Sequence, residues 1–224
     1  MRLQNTILTL LTCVALSSCS GYHLTKNQNP FSQYGIYSVA IPMFVNHTVF
    51  ANMSGSMTKE FILRLGRYPD LKIYPGESEK ADAILIGILR TKDHKKDVLK
   101  VNSNRFTTGN LLDSIGERQQ FNLPTSNIYK VELDLILIKD PSVIDKDLLN
   151  KPELLPYLNR HPKIVFIETL EIEGSHSLVV DETTALDKGG ITNFTKNKAS
   201  FEQSVQVLAK KAARDFQNVV LDAF

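Results

Sequence analysis

Ala83-Ile84-Leu85-Ile86-Gly87-Ile88-Leu89 is seven residues without a polar side chain. The run is far short of the about 20 residues a membrane-spanning helix needs. A strand buried on one face alternates apolar and polar residues, and this one does not. It is predicted to be a central strand covered on both faces. Ile128–Lys139 is the natural partner. Val131, Leu133, Leu135 and Leu137 point to one side, and Lys130, Glu132 and Asp134 to the other, until Ile136 and Ile138 take over. Such a strand passes from half-exposed to fully covered along its length.

Two amphipathic helices accompany these strands. In 52–68, Met53, Met57, Phe61, Leu65 and Tyr68 recur at helical spacing with Ile62 beside them, and Pro69-Asp70 stops the helix. At the C-terminus Ser200 and Gln203 have capping-box spacing. Phe201, Val205, Leu208, Ala212, Phe216 and Val219 follow as a stripe that runs toward Ala223 or Phe224. Shorter strands are expected at Leu71–Tyr74, closed by Pro75-Gly76, and in Ser38–Phe44, where Pro42 marks an edge strand or a strand end. Lys163–Glu173 is another long strand, with Leu178–Val180 as its extension beyond Gly174. Residues 91–127 read as a hairpin or insertion, with a strand within Val98–Phe106 and a helical turn at Leu111–Ile115. Residues 143–162, with Pro152, Pro156 and Pro162, read as a loop, and Lys188-Gly189-Gly190 as a turn. The sum is one α+β domain of two helices and four or five strands.

The N-terminus sets the compartment. Arg2 precedes an apolar stretch from Ile7 to Leu16, too short to span a bilayer, and Leu16-Ser17-Ser18-Cys19 follows. An apolar residue, two small residues and a cysteine match the lipobox of bacterial lipoproteins. Small residues fit a narrow peptidase cleft, and only a thiol can take the diacylglycerol. Residues 1–18 are expected to be a lipoprotein signal peptide, Cys19 the lipid attachment site, and 19–35 the acylated cysteine and a polar tether. Residues 36–224 would be the domain, with insertions near 91–127 and 141–162. Cys13 leaves with the signal, so no free thiol remains. Several acyl chains make a durable anchor where a single chain binds marginally. Ser20 rather than Asp after the cysteine points to the outer membrane.

Composition narrows function further. The net charge of +2, from 26 basic and 24 acidic residues, lacks the basic excess of a nucleic-acid-binding domain. Two cysteines are too few for a disulfide scaffold or a zinc finger. No Gly-rich phosphate loop, HExxH or GxSxG motif is present. The histidines at 23, 47, 94, 161 and 176 have no metal-ligand spacing, and Asp181-Glu182 reads as a solvated pair. An enzyme is not expected, nor a metal or any cofactor beyond the covalent lipid at Cys19. Asn46-His47-Thr48 and Asn193-Phe194-Thr195 match a glycosylation sequon that a bacterial lipoprotein would not use in that way. One cluster stands out. Arg90, Lys92, His94, Lys95 and Lys96 follow the central strand; they are either a solvated hairpin tip or a face for the phosphates of an anionic glycolipid.

The order of parts resembles a known family. Gly21-Tyr22-His23-Leu24 lies just after the lipobox. Val39-Ala40-Ile41-Pro42-Met43-Phe44-Val45-Asn46-His47-Thr48 comes next, then an amphipathic helix, Ala81-Asp82-Ala83-Ile84-Leu85-Ile86-Gly87, the strand Tyr129–Ile138 and a C-terminal helix. This is similar to the lipopolysaccharide-assembly lipoproteins, LptE, with Ser20 inserted between Cys19 and Gly21. The resemblance implies two helices packed on one face of a small mixed sheet. It also implies a plug inside a large outer-membrane β-barrel, LptD, that helps the barrel assemble and binds lipopolysaccharide on its way to the outer leaflet of a Gram-negative bacterium. Arg90, Lys92, Lys95 and Lys96 are then the candidate lipopolysaccharide contacts. The other reading is an envelope-assembly or regulatory outer-membrane lipoprotein, since secretion-channel and synthase-activator lipoproteins carry a looser version of the Val39–Thr48 pattern. A lipid-anchored hydrolase has no motif in its support.

Overall fold

The computed structural model describes residues 28–91, 100–106, 122–142, 162–178, 194–219 and 221. Within them the chain is α+β, with both helices on one face of a mixed sheet. The strands are β1 (Ser38–Ile41), β2 (Val45–Asn46), β3 (Lys72–Pro75), β4 (Ala83–Arg90), β5 (Lys100–Phe106), β6 (Asn122–Lys139) and β7 (Ile164–Ser177); the helices are α1 (Met53–Leu65) and α2 (Phe194–Val219).

The sheet has seven strands, where four or five were expected. One of the extra strands comes from an interrupted partner. β1 and β2 both run parallel to β4 along one side, β1 at Ala83-Ile84 and β2 at Ile88-Leu89. Between them lies Pro42, which has no N–H for the ladder, so one line of pairing becomes two short strands. β1 is therefore a strand ended by Pro42 and not an edge strand, because β3 pairs along its other side. β6 is longer than the alternation in Ile128–Lys139 indicates. Its last half pairs antiparallel with β4, and its first residues, 122–128, pair antiparallel with β5, so 91–127 contains a hairpin. β7 lies along the opposite side of β6 and continues through Gly174 to Ser177. The expected helical turn at Leu111–Ile115, the loop at 143–162 and the turn at Lys188–Gly190 lie outside the described residues.

The helix-covered face holds the larger core. Met53, Met57, Phe61 and Leu65 of α1, and Val205, Leu208, Ala209, Ala212, Ala213 and Phe216 of α2, pack on Val39, Ile41, Leu85, Leu89, Tyr129, Leu133, Leu135 and Leu137. The opposite face carries a second core of Ala40, Ala81, Ile84, Ile86, Ile88, Ile136 and Ile138. Ala83–Leu89 is thus buried on both sides, as its unbroken apolar run requires.

Four boundaries differ from the sequence reading. The domain begins before 36: Phe31 and Ile36 are fully buried and Asn29 nearly so. Asn29 Nδ2 donates to the Ile36 carbonyl, and Asn29 Oδ1 accepts from the Phe31 N–H. A polar stretch hides a core aromatic because its asparagine satisfies its own turn. α1 stops at Leu65, and Gly66–Tyr68 form a turn before Pro69. Ser200 is not the cap of α2, which starts at Phe194. The hydroxyl of Ser200 donates to the Ser177 carbonyl of β7, a tie that a capping-box spacing cannot reveal. The helix stops at Val219, which is exposed, and Leu221 is buried instead.

Candidate functional site

Two of the segments carrying the resemblance, Val39–Thr48 and Ala81–Gly87, are hydrogen-bonded knots. Asp82 closes the start of β1 onto β4. Its Oδ2 accepts from the backbone N–H of Tyr37 (2.9 Å) and Ser38 (2.8 Å) and from the Ser38 hydroxyl (2.8 Å). The Asp82 N–H donates back to that hydroxyl. Burial opposes the charge on Asp82, but the bonds from Tyr37 and Ser38 and the nearby Lys139 outweigh it and hold the carboxyl below its ordinary value. In Asn46-His47-Thr48, Asn46 Oδ1 accepts from both the N–H and the hydroxyl of Thr48, and Asn46 Nδ2 donates to the Phe50 carbonyl. That Asx-type turn reverses the chain between β2 and α1. Both motifs thus shape the fold, and the Asn-x-Thr pattern at 46–48 has a local structural use.

The basic cluster divides. Arg90 ends β4 on the face away from the helices. Its Nε is hydrogen-bonded to Asp134 Oδ2, and Glu132 lies 3.9 Å from its other end. The Thr169 hydroxyl donates to Asp134 Oδ1 at 2.6 Å, so the nearly buried Asp134 is held from β4 and β7 at once. The bond to Asp134 raises the pKa of Arg90 against the opposing effect of its partial burial. The charge of Arg90 is directed at carboxylates of the sheet. Lys92, His94, Lys95 and Lys96 lie outside the described residues, as do Cys19, the lipobox, Gly21–Leu24, Asp181 and Glu182. The alternation in β6 marked Asp134 as outward-facing and gave no sign of its burial against Arg90.

His47 lies at the end of β2 with its N–H bonded to the Leu89 carbonyl, and His176 lies on β7 near α2. Among the described residues no group of His, Cys, Asp and Glu is placed to hold a metal ion. No helix among them is long and apolar enough to cross a membrane.

No family model matches the sequence, and no curated protein matches it. Solved structures do align with it. A protein described as a lipoprotein from Caulobacter crescentus aligns over 80% of this chain and 88% of its own, at 8% identity and a TM-score of 0.41. Rare lipoprotein B from Shewanella oneidensis aligns over 82% and 95%, at 11% identity and 0.33. A lipoprotein from Neisseria meningitidis aligns over 77% and 97%, at 10% identity and 0.31. All three TM-scores lie below 0.5, so the chain's own residues carry the functional reading.

Proposed function

We propose that this protein is an outer-membrane lipoprotein, acylated at Cys19, that serves as a non-catalytic subunit of a lipopolysaccharide translocon. In that role it plugs an LptD-type β-barrel, helps it assemble and contacts lipopolysaccharide. The observation that carries the reading is the coincidence of motif and architecture. Val39–Thr48 and Ala81–Gly87, two of the segments that resemble the family, build β1, β2 and most of β4 and tie them through Asp82 and Asn46, under two helices on one face. A plug needs a rigid body on a tether, and the buried Asn29–Ile36 turn joins the N-terminal segment firmly to that body. Arg90 is engaged by Asp134, so the proposed glycolipid contacts are Lys92, Lys95 and Lys96.

Pull-down of the tagged, acylated protein from detergent-solubilised outer membranes tests the role. A stoichiometric large β-barrel is the expected partner. Intact mass should show a mature N-terminus at Cys19 with added acyl mass, and retention of Met1 would sink the anchor. Charge reversal of Lys95 and Lys96 should weaken glycolipid binding and leave the fold intact.

The second reading is an outer-membrane lipoprotein that scaffolds or regulates other envelope assemblies. Because Asp82 and Asn46 act on the fold, the same motifs suit a relative with a different partner. Recovery of secretion components or periplasmic synthases in place of a barrel would favour it.

A further inference from the structure

The two helices run side by side in the same direction. Asn52 and Ser56 at the start of α1 face Phe201, Glu202 and Val205 of α2 across a groove, and farther along the ring of Phe61 lies 5.2 Å from that of Phe216. Their C-terminal halves therefore present one joint outer surface. To it α1 and the turn after it bring Lys59, Arg64 and Arg67, and α2 brings Lys210, Lys211 and Arg214. All but the half-buried Arg64 are exposed. Burial, and then the charges of Arg67 and Arg214, lowers the pKa of Arg64, so these three guanidiniums stand close enough to oppose one another. Within 59–67 and 207–219 the only acids are Glu60 and Asp215. The excess of four positive charges is twice the net +2 of the whole chain. No ion pair ties Lys59, Lys210, Lys211 or Arg214 to a carboxylate among the described residues. Among the cations stand Leu63 and Val207, 53% and 62% exposed. The opposite face of the sheet has the other sign, with Glu132, Asp134, Glu171 and Glu173 against Arg90 and Lys130.

The N-terminal segment enters at this same end of the helix layer. Asn29 Nδ2 donates at 3.5 Å to the carbonyl of Asp70, just past Arg67. Phe31 stacks on Phe166 at 6.2 Å, and Phe166 lies 5.9 Å from Phe216 of α2. Cys19 and Asn29 are ten residues apart, a reach of at most about 35 Å. An acyl group on Cys19 would thus keep the basic end of the helix layer close to the bilayer that holds it. Cations set around exposed aliphatic side chains suit a surface of lipid phosphates. Each cation is drawn to the headgroups, and the apolar side chains enter the boundary beneath them.

We propose that the C-terminal halves of α1 and α2 form a docking surface for an anionic phospholipid bilayer, with the six cations on the phosphates and Leu63 and Val207 at the headgroup boundary. This docking rests on the acyl anchor at Cys19 and not on the translocon role. It belongs to the anchored chain before a partner covers that face.

The test is lysine footprinting of the complete acylated protein on vesicles of phosphatidylcholine alone and of phosphatidylcholine with about 30% phosphatidylglycerol. A water-soluble acetylating reagent marks accessible amines, and mass spectrometry reads them. Lys59, Lys210 and Lys211 should react severalfold more slowly on the anionic vesicles. Lys130, 59% exposed on the opposite face, should react equally on both. Salt at about 0.5 M should remove the protection, because charges are then screened within on the order of 4 Å. Arg64→Gln/Arg214→Gln should lower the ratio of docked to undocked protein by about 25-fold, since each cation at an anionic surface contributes about fivefold. Lys59→Gln/Lys210→Gln changes exposed side chains only and should act alike, with Lys211 as the reporter, which keeps the test open if the arginine variant fails to fold. Equal reactivity on the two vesicles, or protection unchanged in a folded variant, overturns the proposal. So does protection that appears in detergent as protein concentration rises, which assigns the face to a second copy. Protection confined to outer-membrane extract overturns it in favour of a protein partner. Flotation reports the anchor separately. Protein that floats with neutral vesicles as well supports the anchor. Protein that floats only with anionic vesicles, its lysines protected, loses the anchor and keeps the docking surface.

Discussion

The two faces of the sheet are both buried, but they are built from different side chains. The helix face uses Phe, Met, Leu and Tyr, whereas the opposite face near β4 uses Ile and Ala. Helices leave an uneven gap over a twisted sheet. Long and aromatic side chains fill it, and glycines in the strands make room for them. A Cβ on Gly87 would lie 2.5 Å from the Phe44 ring, and one on Gly174 would lie 2.4 Å from the Tyr129 ring. The isoleucine face shows no such socket among the described residues, and it gives way along β6 to the Asp134–Arg90–Thr169 set. One face depends on shape matched residue by residue. The other depends on area and on one ionic knot at its border.

The largest test removes an aromatic from the matched face. Phe61 is fully buried, with its ring 5.1 Å from Phe44 and 5.2 Å from Phe216. Phe61→Ala should cost about 3–5 kcal/mol in a denaturant titration. A loss below 1 kcal/mol would mean that the helix layer is loosely packed. Next is Arg90→Ala, which leaves Asp134 buried without its cation. The expected loss is about 2 kcal/mol, less than for a fully buried pair, because solvent reaches Arg90. This loss bears on glycolipid assays as well, since an Arg90 variant would bind poorly for reasons of stability alone.

Gly87→Ala should then cost about 1–3 kcal/mol by overpacking against Phe44. The double variant with Phe44→Leu should show a smaller loss than the two changes added, and strict additivity would remove the socket. On the opposite face, Ile86→Val should cost only about 0.5–1.5 kcal/mol. The smallest effect is titration of His176. Burial lowers its pKa, so the folded state favours the neutral ring. Its contribution is complete above the unfolded value and is lost as pH falls from about 6.5 through the lower folded value. The wild type should therefore lose slightly more stability than His176→Phe over that interval, as measured by melting temperature against pH.

The contrast also explains what was readable in the sequence. Met53, Met57, Phe61 and Leu65 repeat with the helical period, and Ala83–Leu89 is unbroken, so both elements show in local pattern. The strand count does not, because it depends on Pro42 dividing one line of pairing and on β5 sharing a side of β6 with β4. Phe31 is invisible because its burial is arranged by Asn29, a residue typical of linkers. Gly87 is read as one more apolar residue, and its use appears only when Phe44 lies over it. Of the candidate site, Arg90 could be located but its partners could not, since Asp134 and Thr169 come from other strands. The tie from Ser200 to the Ser177 carbonyl had no local signal at all, since it forms only when α2 lies along β7.

β6 has one more consequence. Eighteen residues in one strand measure about 60 Å at the usual rise of roughly 3.3 Å per residue. Lys139 ends the strand beside Tyr34, whose carbonyl accepts from the lysine, so the N-terminal segment enters at that end. Ser126, beside Ser177 and its tie to α2, lies toward the other. The strand thus acts as a spacer, with the N-terminal turn held at one end and the Ser177–Ser200 tie near the other.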